Sequence, residues 1–265
     1  MTTGPITILG IFVADLTFIA DHFPAMAETV LGTDFRIGPG GKGSNQAVAA
    51  RRAGAEVNLL VKTGSDTFGG MARELFAREG IAAGPITPSE HLPTGAASIY
   101  VDEATGENAI IVVPGAAGAI TSAEISGADA VIAGLRIFMT QFELPLPVVE
   151  QSLRIARAHG VTTILNPAPA AAIGPELYTL VDVLTPNEIE AAALCGRAVG
   201  SLAEAERAAD FFLPRGVATA IITLGADGAF VMSAAVCKHV PAFSAGAVVE
   251  TTGAGDAFNG ALAVA

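Results

Sequence analysis

An α/β fold built on a mainly parallel sheet flanked by helices is predicted by two observations. Short β-branched runs alternate with longer Ala- and Leu-rich segments, the order expected of strands joined through crossover helices. Hydrophobic residues make up 51% of the 265 and charged residues 15%, a balance that supplies a sizeable core and excludes a disordered chain.

In chain order, β-branched runs predict strands over 6–12, 57–63, 136–142, 161–165, 181–184 and 218–224. Between them, segments rich in Ala, Leu and charged residues predict helices over 44–53, 68–79, 147–158, 188–194 and 202–212. A last helix is expected over 256–265. Two portions break the alternation, 16–37 and 95–113. In the second, runs over 96–101 and 109–113 flank a turn rich in Glu, Thr and Gly and read as a hairpin. No repeat or low-complexity linker divides the chain, so residues 1–265 are expected to form one domain.

A formal net charge of −12 argues against nucleic acid as a partner. Any phosphate site must therefore draw positive potential from amides, a few Lys or Arg, and metal. Asp15 and Asp21 interrupt the early apolar residues, so no membrane span or leader is expected. Cys195 and Cys237 are isolated, which suits a reducing cytoplasm and excludes a disulfide framework or zinc site. His22, His91, His159 and His239 are scattered and take no ligand role.

Chemistry concentrates in two glycine-rich segments. In Glu250-Thr-Thr-Gly-Ala-Gly-Asp256, Gly253 and Gly255 allow successive N–H groups to converge at a helix start, an arrangement that suits a phosphoryl group. Asp256 stands one residue later, placed to accept a hydroxyl proton. In Gly38-Pro-Gly-Gly-Lys-Gly-Ser-Asn45, Gly40 and Gly41 let the backbone approach a small polyol, with Lys42 and Asn45 as donors and acceptors to its hydroxyls. The same segment satisfies G-x-G-x-x-G, but it lies well after the first strand and lacks the acid expected about 20 residues on. It is no Walker loop, since Gly43 follows Lys42 where Ser or Thr is required. Around Thr185-Pro-Asn-Glu-Ile-Glu190, Thr185 reads as a helix cap with Pro186 at the first helical position and Glu188 closing a capping box.

The two segments, Gly40 to Ala50 and Glu250 to Gly260, together resemble the signatures of the ribokinase-like (PfkB) carbohydrate kinases, with the landmarks between them in the expected order. That resemblance implies a ribokinase-like fold with a small β lid, formed within 16–37 and 95–113 and often part of a dimer contact. It implies ATP-dependent phosphorylation of a sugar hydroxyl, ribose foremost, with Asp256 as base and the amides of Gly253, Ala254 and Gly255 as anion hole. Asp15, Gly41, Lys42, Asn45 and Glu143 would bind the sugar. Asn187 and Glu190 would place magnesium, largely through water, and Asn187, Thr223, Gly225, Gly228 and Gly255 would meet the nucleotide. Glu250 and Thr252 correspond to ligands of a monovalent cation, potassium.

Departures from the family pattern accompany these matches. Val13 stands where ribokinases carry Asn, which points toward a deoxy, more apolar or nucleoside-like acceptor. Glu250 replaces the usual Asp. Relatives continue for several helices beyond the position of Ala265, so one wall of the adenine pocket and part of the cation site are expected from residues outside this sequence. Besides another sugar or nucleoside kinase of the family, the remaining alternatives are a sugar or nucleotide sensor without catalysis and, on the weak glycine match, a nicotinamide oxidoreductase.

Overall fold

The computed structural model describes residues 5–244, 246 and 251–265. Along the chain run β1 (Ile6–Leu9), β2 (Val13–Ala20), β3 (Asp34–Gly40), α1 (Lys42–Arg52), β4 (Val57–Leu60), α2 (Thr67–Glu79), β5 (Ala82–Ala83), β6 (Thr94–Asp102) and β7 (Asn108–Gly115). There follow α3 (Ser122–Gly127), α4 (Asp129–Ala133), β8 (Ile137–Gln141), α5 (Leu146–Ala158), β9 (Thr162–Asn166), α6 (Pro175–Tyr178), β10 (Val183–Leu184) and α7 (Glu188–Cys195). The chain closes with α8 (Leu202–Phe212), β11 (Thr219–Thr223), β12 (Ala229–Ser233), β13 (Cys237–Val240) and α9 (Ala254–Leu262).

Nine strands form the main sheet in the order β13-β12-β11-β10-β9-β8-β1-β4-β5. From β11 to β5 all neighbours are parallel; β12 and β13 add an antiparallel edge. The chain leaves β1 toward β4 on one side and returns at β8 on the other. Crossovers of one hand running in opposite directions put α1 and α2 on one face of the sheet and α5 and α8 on the other. Ile8 and Met139 pack with Ala47 and Phe76 on the first face, and Phe138 and Leu165 with Leu153 and Phe212 on the second. Such a reversal leaves a crevice beyond the carboxyl ends of β1 and β8, where ligands of open parallel sheets lie.

A second, four-stranded sheet has the order β3-β2-β6-β7. Its central pair β2 and β6 is parallel and its outer pairs antiparallel. Since β2 starts at Val13 just after β1 ends at Leu9, this sheet begins at the carboxyl end of β1. Helix α2 ties the two together. Asp66 caps it by accepting from the Gly69 N–H at 2.8 Å, and its other oxygen accepts from the N–H of Thr94 at the start of β6, also at 2.8 Å.

Most predicted core elements hold within a few residues, but their ends are shorter: the first strand stops at Leu9 and the fifth spans only Val183–Leu184. Asp15, which follows the first strand, lies inside β2 of the second sheet. The last helix begins at Ala254, ahead of Asp256. Strands β5, β12 and β13 and helices α3, α4 and α6 were not predicted. Each is short or lies at an edge, where little apolar periodicity is required.

Candidate active site

Helix α1 starts against the end of β1 because its turn is built from glycines. Gly41 has φ of 92°, and a Cβ there would stand 2.6 Å from the Ile11 carbonyl oxygen. A Cβ on Gly40 would meet the Asp15 carboxylate oxygens at 2.3 Å. The glycines predicted to admit a polyol therefore first admit neighbouring parts of the chain.

Helix α9 runs along α1 and presents Asp256, which is 7% exposed. Two consecutive residues of α1 hold its carboxylate: Asn45 donates from Nδ2 to Oδ2 and Gln46 from Nε2 to Oδ1, both at 3.0 Å. Hydrogen bonds continue from there in a ring. Gln46 Nε2 also donates to Asn166 Oδ1 at 3.1 Å, Asn166 Nδ2 to the Thr185 carbonyl at 3.0 Å, Thr185 Oγ1 to Asn259 Oδ1 at 2.6 Å, and Asn259 Nδ2 to the Gly255 carbonyl at 2.8 Å. The first turn of α9 is thus fixed through both a side chain and a main-chain carbonyl. Asn45, expected to meet sugar hydroxyls, spends its NH2 group on Asp256.

Beside Asp256 a cavity of about 170 Å³ opens, lined by Lys42, Asn187, Glu190, Thr223, Gly253 and Gly255 among others. Lys42 supplies positive charge. Gly253 caps α9 in the left-handed region, with φ of 76°, and no atom lies within 4 Å of a Cβ built on Gly253 or Gly255. The main chain there is open to an approaching group. Ala254 differs, because its N–H donates to the Thr251 carbonyl at 3.1 Å, which removes it from the predicted trio of anion-binding amides.

The cap of α7 also corrects the sequence reading. Asn187, not Thr185, is the N-cap, and its reciprocal partner is Glu190, not Glu188. Asn187 N–H donates to Glu190 Oε2 at 2.9 Å and Glu190 N–H to Asn187 Oδ1 at 2.8 Å. Thr185 is buried and turned into the ring because its hydroxyl has a better acceptor in Asn259. Burial raises the Glu190 carboxyl above its ordinary range, opposed by the bond from Asn187.

A second cavity of about 570 Å³ lies between the four-stranded sheet and the residues just before α9, lined by Asp15, Thr17, Arg36, Ile99, Asn108 and Ile110 on one side and Thr251 and Thr252 on the other. Burial pushes the Asp15 carboxyl up to about 6. Glu143, just past β8, accepts the Lys42 backbone N–H on Oε2 at 2.8 Å. Burial raises its carboxyl to about 7, against the lowering effect of that bond and of the Lys42 charge. Asp15 and Asp256 also act on Glu143 through their charges, so the three carboxylates and Lys42 form one electrostatic group.

Some predicted residues are not brought into this arrangement. Gly225 and Gly228 lie in the turn after Thr223, outside the cavity lining. Gly228 is required there for another reason, since a Cβ would stand 2.1 Å from the Val240 carbonyl oxygen. Glu250 lies outside the described residues, and Thr252, its expected companion, lines the cavity that Asp15 lines. The G-x-G-x-x-G match falls on β3, an edge strand of the four-stranded sheet, and the start of α1, not on a strand of the parallel sheet and its helix, which disposes of the dinucleotide reading. Among the described residues no group of three or more His, Cys, Asp and Glu could hold a metal, and no helix is long and apolar enough to cross a membrane.

Gln46, Asn166, Thr185 and Asn259 were missed by the sequence reading. The available signal was polar residues closing apolar strands at their carboxyl ends, together with Asn259 one helical turn beyond Asp256. A larger hollow of about 620 Å³ sits at the opposite end of the sheet, by Arg157, Asp182 and Thr219. There Arg157 is already paired with Asp182.

Comparison with known proteins shows the family. The family model described as pfkB family carbohydrate kinase matches residues 5–265. Ribokinase of Haemophilus influenzae is 39% identical over 260 residues, covering 98% of this chain and 84% of the relative. Deoxyribokinase of Salmonella typhi is 33% identical over 259 residues, covering 97% and 84%. The solved structure of Arabidopsis thaliana ribokinase complexed with ribose and ATP superposes with a TM-score of 0.90 at 25% identity, covering 99% of this chain and 86% of that one.

Proposed function

This chain belongs to the pfkB family of carbohydrate kinases and is an ATP-dependent sugar kinase; from that premise we propose that it transfers the γ-phosphoryl group of ATP to a hydroxyl of ribose, with Asp256 as general base. One observation carries the reading: Asp256, held by two amide donors, borders a cavity that Lys42, Gly253 and Gly255 also line, while Asp15 lines a second cavity against the four-stranded sheet.

The sugar occupies the side of the four-stranded sheet, where Asp15 and Glu143 accept hydrogen bonds from its hydroxyls and Gly41, Lys42 and Asn45 bound it. The acceptor hydroxyl lies against Asp256, which takes its proton as the oxygen attacks phosphorus. Gly253 and Gly255 N–H groups and Lys42 stabilise charge on the transferred group, which the open main chain at both glycines favours. Thr223 borders the nucleotide, and Gly225 and Gly228 shape the turn behind it. Positioning supplies most of the rate.

Asn187 and Glu190 suit magnesium through water better than by direct contact. Their donor atoms already satisfy one another in the helix cap, yet each carboxylate oxygen keeps a lone pair for a metal-bound water. Magnesium, when bound, neutralises phosphate charge. For Glu250 and Thr252 we retain the potassium role on the family pattern alone.

A second acceptor, 2-deoxyribose, is favoured by Val13. It lies two residues before Asp15 on the same face of β2 and is 3% exposed, so it offers no partner to a buried hydroxyl, a loss of about 1–3 kcal/mol. The lid's edge strand β7 exposes Ile110, Ile111, Val112 and Val113, which supports a homodimer through the lid. ADP release from Mg-ATP, measured across ribose, 2-deoxyribose, fructose, phosphosugars and nucleosides, tests the reading. Strong turnover on ribose is expected; silence across the panel with sugar binding retained would move the assignment to a sensor.

A further inference from the structure

Gln46 is fully buried in α1, where an unpaired amide would be costly. All its polar groups are used. Oε1 accepts from Gln141 Nε2 at 2.6 Å, while Nε2 donates to Asn166 Oδ1 at 3.1 Å and to Asp256 Oδ1 at 3.0 Å. Because Nε2 donates to both Asp256 Oδ1 and Asn166 Oδ1, Gln46 presents its NH2 group to that side. That orientation turns Oε1 toward Gln141, at the carboxyl end of β8. A Cβ on Gly10 would stand 2.6 Å from Gln141 Oε1, so the far end of this relay is hemmed in by the end of β1. The relay therefore runs from the central strands of the sheet, through α1, to one named oxygen of Asp256.

Asn45 fixes the other oxygen. With only one donor the carboxylate could rotate about its Cβ–Cγ bond. With two it presents a defined lone pair on each oxygen toward the crevice. We propose that Gln46 is a positioning residue for phosphoryl transfer, holding the Asp256 carboxylate in the orientation that receives the acceptor proton. This rests on Asp256 being the base. Misplacement of a reacting group by about 1 Å can cost about 100-fold in rate, so the effect belongs in kcat and not in binding.

The test is a double-mutant cycle on the full chain, with Gln46→Met and Asp256→Asn, read as kcat and as KM for ribose and for ATP. Gln46→Met should lower kcat by about 10- to 100-fold with both KM values within about threefold, and should cause no further loss in the Asp256→Asn background. If Gln46→Met fails to fold by circular dichroism, Gln46→Asn, which withdraws the amide by one methylene, is read in the same way. Turnover within twofold of the parent overturns the proposal. So does an equal loss in the Asp256→Asn background, which would make Gln46 a packing residue only. Full turnover by Asp256→Asn alone would overturn the base assignment and this proposal with it, whereas a dead Asp256→Asn beside a normal Gln46→Met sinks the positioning role alone.

Discussion

Gly260 of α9 lies directly against Gln46 of α1: a Cβ on Gly260 would stand 2.5 Å from the Gln46 carbonyl oxygen and 2.5 Å from the Ala49 Cβ. The two helices approach this closely only because one of them lacks a side chain there. Gly260→Ala should therefore destabilise the fold although Ala is the better helix former. Overpacking costs about 1–3 kcal/mol, which urea unfolding would read as a lower midpoint. Because the shift would carry Asp256 with it, kcat should fall as well.

Asp256→Asn should lose about 10² to 10⁴ of turnover while still binding sugar, the range a general base commonly contributes. Its single amide oxygen cannot accept from both Asn45 and Gln46, so one donor would face an NH2 group. A lower melting temperature is expected beside the kinetic loss. Steady-state assays with ribose and a thermal melt check both, and near-normal turnover would refute the base assignment.

Glu143 gives stability a pH dependence of definite sign. Burial raises its carboxyl from 4.5 to about 7 in the folded chain, so across that window the folded state holds a proton that the unfolded state has released. Glu143's contribution to stability must then fall as pH rises through the window and level off above it. Glu143→Gln removes this dependence and should melt higher than the parent at pH 8, by about 1–3 kcal/mol in stability. Melting curves at pH 5 and pH 8 for both proteins decide it.

Asp15 should make sugar affinity depend on pH. With its carboxyl raised to about 6 by burial, it is largely protonated at pH 5 and ionised at pH 7.5, and only the ionised form accepts hydrogen bonds at both oxygens. The KM for ribose should fall several-fold over that interval. Asp15→Asn should bind weakly and with a flatter profile through pH 6.

Exposed apolar residues on β7 make the proposed dimer testable. Ile111 is 65% exposed on edge strand β7. Sedimentation should give a dimer for the parent and a monomer for Ile111→Asp. Both proteins sedimenting alike would exclude this surface.

The parallel core was legible because its strands are β-branched runs buried on both faces, a pattern that needs no knowledge of partners. Asp256 and the α1 glycines were legible as motifs, since local backbone requirements leave local traces. The ring was not. Gln46, Asn166 and Asn259 meet only through the fold: Gln46 and Asp256, 210 residues apart, share a hydrogen bond. A polar residue in a buried position carries no mark of which distant group satisfies it. The α7 cap failed for a related reason. Thr185 and Asn187 are both good caps by type, and the choice fell to Asn259, whose carbonyl oxygen claims the Thr185 hydroxyl.

The two sheets also divide how this molecule can change. Asp15, Ile99 and Ile110, which line one cavity, belong to a four-stranded sheet that among the described residues shares no ladder with the nine-stranded one. The groups around Asp256 are anchored instead in the core helices and strand ends. On the proposed roles, substitutions in the four-stranded sheet would retune which alcohol is accepted while the groups that move phosphate stay in register. That is a structural basis for one scaffold diversifying its diet without relearning its chemistry.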